Sequence, residues 1–298
     1  MLSILIPVYN YNITKLVNEL HAQAMDTFVD FEILVMEDGS TKYLDENKSV
    51  ADLLFCNYTV LTQNVGRSAI RNRLADEAKY NHLLFLDCDG EVNSSHFIEK
   101  YLSFCYEEGV TIGGTAYDSR NNDPQYSLRL KYGRMREAKL ATEREKDGKY
   151  SHFATFNFLI SKNIFEQIRF DETVRGYGHE DTLFGHQIAE MKCEVHHIDN
   201  PLIHKGLDDN ETFLRKTEEG TRNLYYLYQT GKYPFLSNQS KLLRTFIKIQ
   251  NIKVTAALSS AYNFAHSSLR KNLLGENPSL KAYDLYKLLF LIHISRKE

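Results

Sequence analysis

The chain has 298 residues, 43% of them hydrophobic and 25% charged, enough for one large domain with an appendage or for two modest ones. A formal net charge of −3 excludes a general nucleic-acid binder, which needs a basic surface. No apolar run approaches the roughly 20 residues of a spanning helix. The first residues lack the basic region and cleavage site of a signal peptide, and Cys56, Cys88, Cys105 and Cys193 show no metal or redox spacing. Together these features predict a cytoplasmic protein with reduced thiols.

Residues 2–8 are an apolar run, predicted to be a first buried strand. Pro7-Val8-Tyr9-Asn10 then turns the chain into a helix with Ile13, Leu16, Val17 and Leu20 on one face and Asn12 as its N-cap. A second strand is predicted over 31–36, ending in Glu37-Asp38-Gly39-Ser40, a turn composition with two carboxylates at a strand end. A weaker third strand covers 58–61. Asn64-Val65-Gly66-Arg67 leads into a helix that carries Ile70, Leu74 and Ala78 inward. Next comes Leu83-Leu84-Phe85-Leu86-Asp87-Cys88-Asp89-Gly90, four apolar residues running into two carboxylates one residue apart. In extended backbone, residues i and i+2 share a side, so Asp87 and Asp89 are predicted to project together, with Cys88 turned away. Adjacent carboxylates repel unless a cation lies near them. Hard oxygen ligands suit magnesium or manganese, and open α/β sheets bind ligands at the carboxyl ends of their strands. A helix follows, with Phe97, Tyr101 and Cys105 on one face and Asn93 near its start. This alternation predicts an α/β fold with a mostly parallel sheet flanked by helices.

The pattern loosens beyond residue 110. A strand is predicted over 111–114. The polar stretch 118–149, with Arg129, Lys131, Arg134, Arg136 and Lys139 close together, reads as a solvated loop or helix; the sharper alternative is a mobile flap that meets an anionic ligand. Residues 152–160 have β character. A glycine-rich turn, Arg175-Gly176-Tyr177-Gly178-His179-Glu180-Asp181, precedes a helix predicted to bury Leu183, Phe184, Ile188 and Met191. Residues 195–198 read as the last strand and Pro201-Leu202-Ile203-His204 as its exit. From residue 206 on the chain is helical, with Asp209 or Asn210 as the first cap and further helices over 242–274 and 280–294. A catalytic domain over 1–205 and a helical region over 206–298 are predicted. The last helix alternates lysines with aromatic and aliphatic residues, which suits packing against the core or contact with a membrane surface.

Charged clusters thus stand at predicted strand ends: Asp38, Arg67 with Arg71, Asp87 with Asp89, and Glu180 with Asp181. Six motifs run in order: Ile6-Pro7-Val8-Tyr9-Asn10, Glu37-Asp38-Gly39-Ser40, Asn64-Val65-Gly66 with Arg71-Asn72, Leu86-Asp87-Cys88-Asp89, Phe170-Asp171-Glu172 and Gly176-Tyr177-Gly178-His179-Glu180-Asp181. In these the first 205 residues resemble inverting glycosyltransferases of family two, which have the GT-A fold. The resemblance implies a donor that is a nucleotide-diphospho-sugar, UDP-linked, and a divalent metal, manganese or magnesium, as cofactor. It places Pro7, Tyr9 and Asn10 at the nucleobase, Asp38 on a base N–H, Arg71 near base and diphosphate, and Asp87 toward the ribose. Asp89 would bind the metal, with His204 as a further ligand. Glu37-Asp38 stands where the family has two aspartates. Asp181 is implied as the general base and Glu180 as a ligand for a sugar hydroxyl. Tyr177, in place of a tryptophan, would stack on a sugar ring, and Asn157 would touch the donor sugar. The acceptor would be a saccharide or a lipid-linked glycan of polysaccharide biosynthesis, met in the cytoplasm or at the inner face of the membrane. Two alternatives compete. A sugar nucleotidyltransferase would want a glycine-rich basic loop after the first strand, which Tyr9-Asn10-Tyr11-Asn12 is not. An inactive nucleotide-sugar-binding module would keep the fold without turnover, against which the intact Asp89 and Asp181 speak.

Overall fold

Apolar residues alternate in direction along the central strands, and this builds two cores on the two faces of one sheet. In β1 (Leu2–Val8), Leu2, Ile4, Ile6 and Val8 join one core and Leu5 the other. In β4 (His82–Leu86), Leu84 and Leu86 join the first, while Leu83 and Phe85 join the second. Each fully buried Leu, Ile or Phe stabilises the fold by about 1.5–3 kcal/mol relative to exposure. The computed structural model describes residues 1–106, 108–174, 176–252 and 254–297, so Arg175 of the glycine-rich turn lies outside the described residues.

The remaining strands are β2 (Phe31–Glu37), β3 (Cys56–Val60), β5 (Gly90–Glu91), β6 (Val110–Ile112), β7 (Thr115–Ala116), β8 (Asn157–Ser161), β9 (Val195–His197) and β10 (Leu202–His204). The large sheet has the order β3-β2-β1-β4-β8-β6-β9. β1 pairs in parallel with β2 and β4, and β2 with β3, while β8 runs antiparallel to both β4 and β6. Phe85 opposite Phe158 locks the β4–β8 register with stacked rings 4.9 Å apart. Helices Thr14–Asp26 and Phe97–Leu102 cover the first face. Helices Arg67–Glu77, Lys162–Ile168 and Glu180–Glu190 cover the second, where Phe170 stacks on Phe184 at 4.2 Å.

The chain divides into two compact units. One comprises Met1–Asp118, Met135–Val174 and Glu180–Gly206 and contains both sheets. The other comprises Ser119–Arg134, Arg175–His179 and Leu207–Glu298. It is built from helices Ser127–Tyr132, Asn210–Gln229, Lys241–Asn251, Thr255–Leu273 and Leu280–Ile294, around Leu128, Phe213, Leu214, Leu273, Tyr283 and Tyr286. Asp209 caps the longest of them by accepting the Thr212 N–H. The last helix buries Tyr283, Tyr286, Leu289 and 290–292 in the interior of the unit and leaves Leu285 45% exposed. No helix among the described residues is long and apolar enough to cross a membrane.

Several expectations are corrected. The stretch 118–149, expected as a solvated loop or helix, is helical over Ser127–Tyr132 and Ala141–Lys146, separated by a π-helical turn, but it is not solvated throughout. Leu128 and Leu130 are buried, Arg129 lies buried over the Phe213 ring, and buried Arg144 donates to the Ile198 carbonyl at 2.7 Å. Composition alone missed this because long cationic stems cover apolar surface. Residues 202–204 are a strand, not an exit, and form a second sheet of order β5-β10-β7. Asn12 does not cap the first helix. Ile13 holds that position, and Asn12 accepts the Thr14 N–H at 3.1 Å instead. Met191 is 38% exposed, just past the end of its helix.

Candidate active site

Because β1, β2 and β4 are parallel, their carboxyl ends lie along one edge of the sheet and deliver Tyr9-Asn10, Glu37-Asp38 and Asp87 there. Tyr9 is exposed and Pro7 half-buried, while Asn10 takes a left-handed backbone conformation. Its side-chain oxygen accepts the N–H groups of Thr41 (2.8 Å) and Lys42 (3.0 Å) and ties the two loops together. Glu37 is fully buried and accepts from Asn47 (2.8 Å), Tyr58 (3.0 Å) and Ser40. That sealing leaves Asp38 as the carboxylate nearer the surface of this edge. Asp38 accepts the backbone N–H groups of Val65 (2.6 Å) and Gly66 (3.1 Å) and so fixes the start of helix Arg67–Glu77. The intervening Gly39 has φ +68 and no room for a Cβ against the backbone of Asn64.

Helix Arg67–Glu77 turns Arg71 inward. It is 3% exposed, lies over the Phe170 ring, and donates to Asp87 Oδ1 at 2.6 Å. Asn72 staples the same helix to the Phe170-Asp171-Glu172 motif, exchanging hydrogen bonds with the Phe170 backbone and donating to Glu172 at 2.7 Å. Burial pushes the Asp87 carboxyl up, Arg71 pulls it down, and Asp89 adds to the rise. Arg71→Met would strip a desolvated carboxylate of its cation. We expect a loss of about 2–3 kcal/mol in urea unfolding, below the range for a fully buried pair because the Asp87 side chain is 30% exposed. Unchanged stability would mean that the pair carries no net weight.

The backbone between the two aspartates is not extended. β4 ends at Leu86, and Cys88 and Asp89 form a tight turn closed by the Gly90 N–H on the Asp87 carbonyl. Each aspartate therefore finds its own cationic partner, Arg71 for one and His204 for the other. His204 Nε2 lies 3.1 Å from Asp89 Oδ2. A Cβ at Gly206 would run into the Asp89 carboxylate, so the glycine makes room for it. Burial raises the Asp89 pKa, but the hydrogen bond and charge of His204, with help from Arg67, outweigh it and hold the carboxyl below its usual range. Nearby Tyr11 is pushed up to about 12, by burial first and then by the charge of Asp89.

Behind His204, the Tyr117 hydroxyl donates to Glu137 and lies 3.4 Å from His204 Nδ1. With its hydrogen committed to Glu137, the phenolic oxygen can accept from Nδ1–H, which would turn the Nε2 lone pair over to a metal once the Nε2 proton that bonds Asp89 is displaced. A shared cation would take the place of that proton between Nε2 and the Asp89 carboxylate. Two ligands about 2.1 Å from one octahedral ion stand about 3.0 Å apart, so Asp89 and His204 as placed fit a divalent metal. Among the described residues, no group of three His, Cys, Asp or Glu side chains could hold an ion. The remaining positions would then fall to substrate phosphates and water, the usual way magnesium is held. Tyr117→Phe should weaken manganese binding about tenfold in calorimetric titration with UDP present. Unaltered affinity would show that Tyr117 does not set the imidazole tautomer. Sequence reasoning missed Tyr117 and Glu137, since the β7–β10 pairing brings Tyr117 to His204 and a π-helical turn brings Glu137 to Tyr117.

Glu180 and Asp181 open helix Glu180–Glu190. Glu180 Oε1 lies 3.3 Å from Arg67 Nη1, and Asp181 Oδ1 accepts the Thr182 N–H at 2.7 Å. Arg67, noted in the sequence only beside Arg71, thus joins the charges at this edge. In the helical unit, Tyr177 lies under Lys216, and its turn is held by Asn223 on the Gly178 carbonyl and His179 on the Gly220 carbonyl. Asn157 is 2% exposed. Its oxygen accepts from Tyr101, and its two amide hydrogens go to the carbonyls of Gly114 and Asn200, which leaves a donor-sugar contact without a free hydrogen.

An open, mostly parallel sheet with aspartates at its strand ends and one antiparallel strand inserted is the GT-A architecture of nucleotide-sugar transferases. Residues 3–169 match the description Glycosyl transferase family 2, and the chain belongs to that family. It is 30% identical over 124 residues to an uncharacterized glycosyltransferase of Rickettsia felis and 23% identical over 236 residues to chondroitin synthase of Escherichia coli. Those alignments cover 42% and 68% of this chain but only 20% and 34% of the relatives. The mannosyltransferase PcManGT of Pyrobaculum calidifontis, solved with GDP-Man and Mn2+, shares the fold with a TM-score of 0.56 at 13% identity, over 99% of this chain and 86% of that one. TarS of S. aureus, solved with UDP-GlcNAc, gives 0.51 at 16% identity, over 99% and 91%.

Proposed function

We propose that this chain transfers a sugar, with inversion, from a UDP-linked nucleotide sugar to a hydroxyl of a saccharide or lipid-linked glycan, with manganese or magnesium held by Asp89 and His204. The observation that carries this reading is the 3.1 Å approach of those two side chains across 115 residues of sequence, next to the Arg71–Asp87 pair. The ligands of the two fold neighbours, UDP-GlcNAc in one and GDP-Man with Mn2+ in the other, support a nucleotide-sugar donor. The likeness to chondroitin synthase supports a saccharide acceptor.

In this reading residues 1–205 act as the catalytic domain and 206–298 as a helical region. Pro7, Tyr9, Asn10 and Asp38 receive the nucleobase, and Asp87, oriented by Arg71, receives the ribose. A bound divalent metal would neutralise the charge that gathers on the departing diphosphate. Arg67 and Arg71 add fixed positive charge on the same side. Asp181 takes the proton of the acceptor hydroxyl as the glycosidic bond forms, and Glu180, held by Arg67, binds a sugar hydroxyl. Tyr177 offers a ring to a sugar face. Incubation with UDP-sugars and manganese, with and without saccharide acceptors, tests the reading. Release of UDP is its expected product. Release of pyrophosphate from a nucleoside triphosphate would favour a nucleotidyltransferase, and tight binding without turnover would favour an inactive module.

A further inference from the structure

Charge is segregated along this chain. Residues 236–298 hold ten lysines and arginines against three acidic residues, a net +7 in a chain whose total is −3. Part of that excess is spent inside the helical unit: Arg270 pairs with Glu211, and Lys287 with Asp284. Lys241, Arg244 and Lys248 differ. They recur at i, i+3 and i+7 on helix Lys241–Asn251, so they form one stripe, and all three are exposed. The opposite face of the helix is anchored by buried Leu243 and Phe246. Among the described residues none of the three makes an ion pair. The stripe runs into Ile252, 67% exposed, and then Val254, 38% exposed, and Phe264 stands 89% exposed on helix Thr255–Leu273. Unpaired cations on a helix already anchored by its other face, running into bare Ile252 and followed in the chain by bare Phe264, match an anionic lipid surface, where the charges meet headgroups and the apolar tips enter the interface.

We propose that the Lys241–Arg244–Lys248 stripe, with Ile252 and Phe264, docks the protein on an anionic bilayer surface. This is surface attachment and not insertion, since no described helix is able to span. It moves the membrane contact from the last helix, most of whose apolar residues are packed inside, to helix Lys241–Asn251, Ile252 just past its end and Phe264 midway along the next helix. It stands independently of sugar transfer, because none of these residues belongs to the candidate active site.

Flotation of the full chain with vesicles of phosphatidylcholine alone, and of phosphatidylcholine mixed with phosphatidylglycerol, is the test. Binding is expected only to the anionic vesicles and should fall as salt rises. Replacing Lys241, Arg244 and Lys248 together by glutamine should weaken it about a hundredfold, at about fivefold per charge. Ile252→Ser with Phe264→Ser should weaken it about tenfold. A control replacing exposed Lys48, Lys146 and Lys192 by glutamine should bind as wild type. All replaced side chains are exposed, and circular dichroism verifies that each variant is folded. Equal binding to neutral vesicles, full retention by the stripe variant, or an equal loss in the control overturns the proposal. So does wild-type protein that ignores anionic vesicles but binds duplex oligonucleotides through the same residues.

Discussion

Asp181→Asn is expected to lower the sugar-transfer rate by about 10²- to 10⁴-fold, the usual contribution of a positioned general base, while nucleotide affinity stays close to wild type. Inverting transfer is one in-line displacement, and the attacking hydroxyl must lose its proton as the new bond forms. Asp181 sits in the first turn of helix Glu180–Glu190, where the positive end of the helix favours the ionised carboxylate. The bond from Thr182 N–H to Oδ1 fixes the direction of the group. Glu180 is placed differently, with its Oε1 3.3 Å from Arg67 Nη1. Asparagine keeps the shape and the hydrogen bond from Thr182 but takes up no proton. Initial rates at saturating donor and UDP affinity, both on one preparation, give the comparison. A variant that turns over at the wild-type rate would move the role of base to Glu180.

Loss of either proposed metal ligand should be nearly as costly. Asp89→Ala and His204→Ala are each expected to weaken manganese-dependent UDP binding by about a hundredfold or more, because among the described residues no third His, Cys, Asp or Glu joins them to share the ion with the diphosphate. A chelator should bring the wild type down to the level of the variants and leave the variants unchanged. Calorimetric titration of UDP with and without manganese measures both effects. Carboxylate repulsion alone would predict that Asp89→Ala stabilises the metal-free protein. The structure gives a smaller effect. Asp89 relieves nothing of its own, since His204 and Arg67 hold it below the usual carboxylate range, and only Asp87 gains from its removal. A melting temperature close to wild type is expected for this variant. UDP binding that ignores both substitutions and the chelator would place any ion elsewhere.

Much of the scaffold was legible because its signals are local. A strand buried on both faces needs an unbroken apolar run, and β1, β2 and β4 are such runs. The strand-end motifs follow them at once, so parallel pairing alone brings Asn10, Asp38 and Asp87 to one sheet edge, while the strand order β2-β1-β4, which puts Asn10 between the other two, is a tertiary outcome. The cap at Asp209 and the inward face of helix Arg67–Glu77 are local in the same sense. What tertiary structure decided is which polar groups lose water together. Asp87 and Asp89 were expected to project together, yet one turn of backbone gave them Arg71 and His204 as separate partners. Asn157 read as a sugar ligand, but Tyr101, Gly114 and Asn200 take up its hydrogen-bonding groups. The polar stretch 118–149 became helical because Leu128, Leu130 and the stems of Arg129 and Arg144 are buried, and no composition count separates a guanidinium in water from one over Phe213. Tyr117 meets His204 across 87 residues of chain, and Glu137 meets Tyr117 across 20. Contacts of that kind leave no period in the sequence, since they depend on strand pairing and desolvation that only the folded chain supplies.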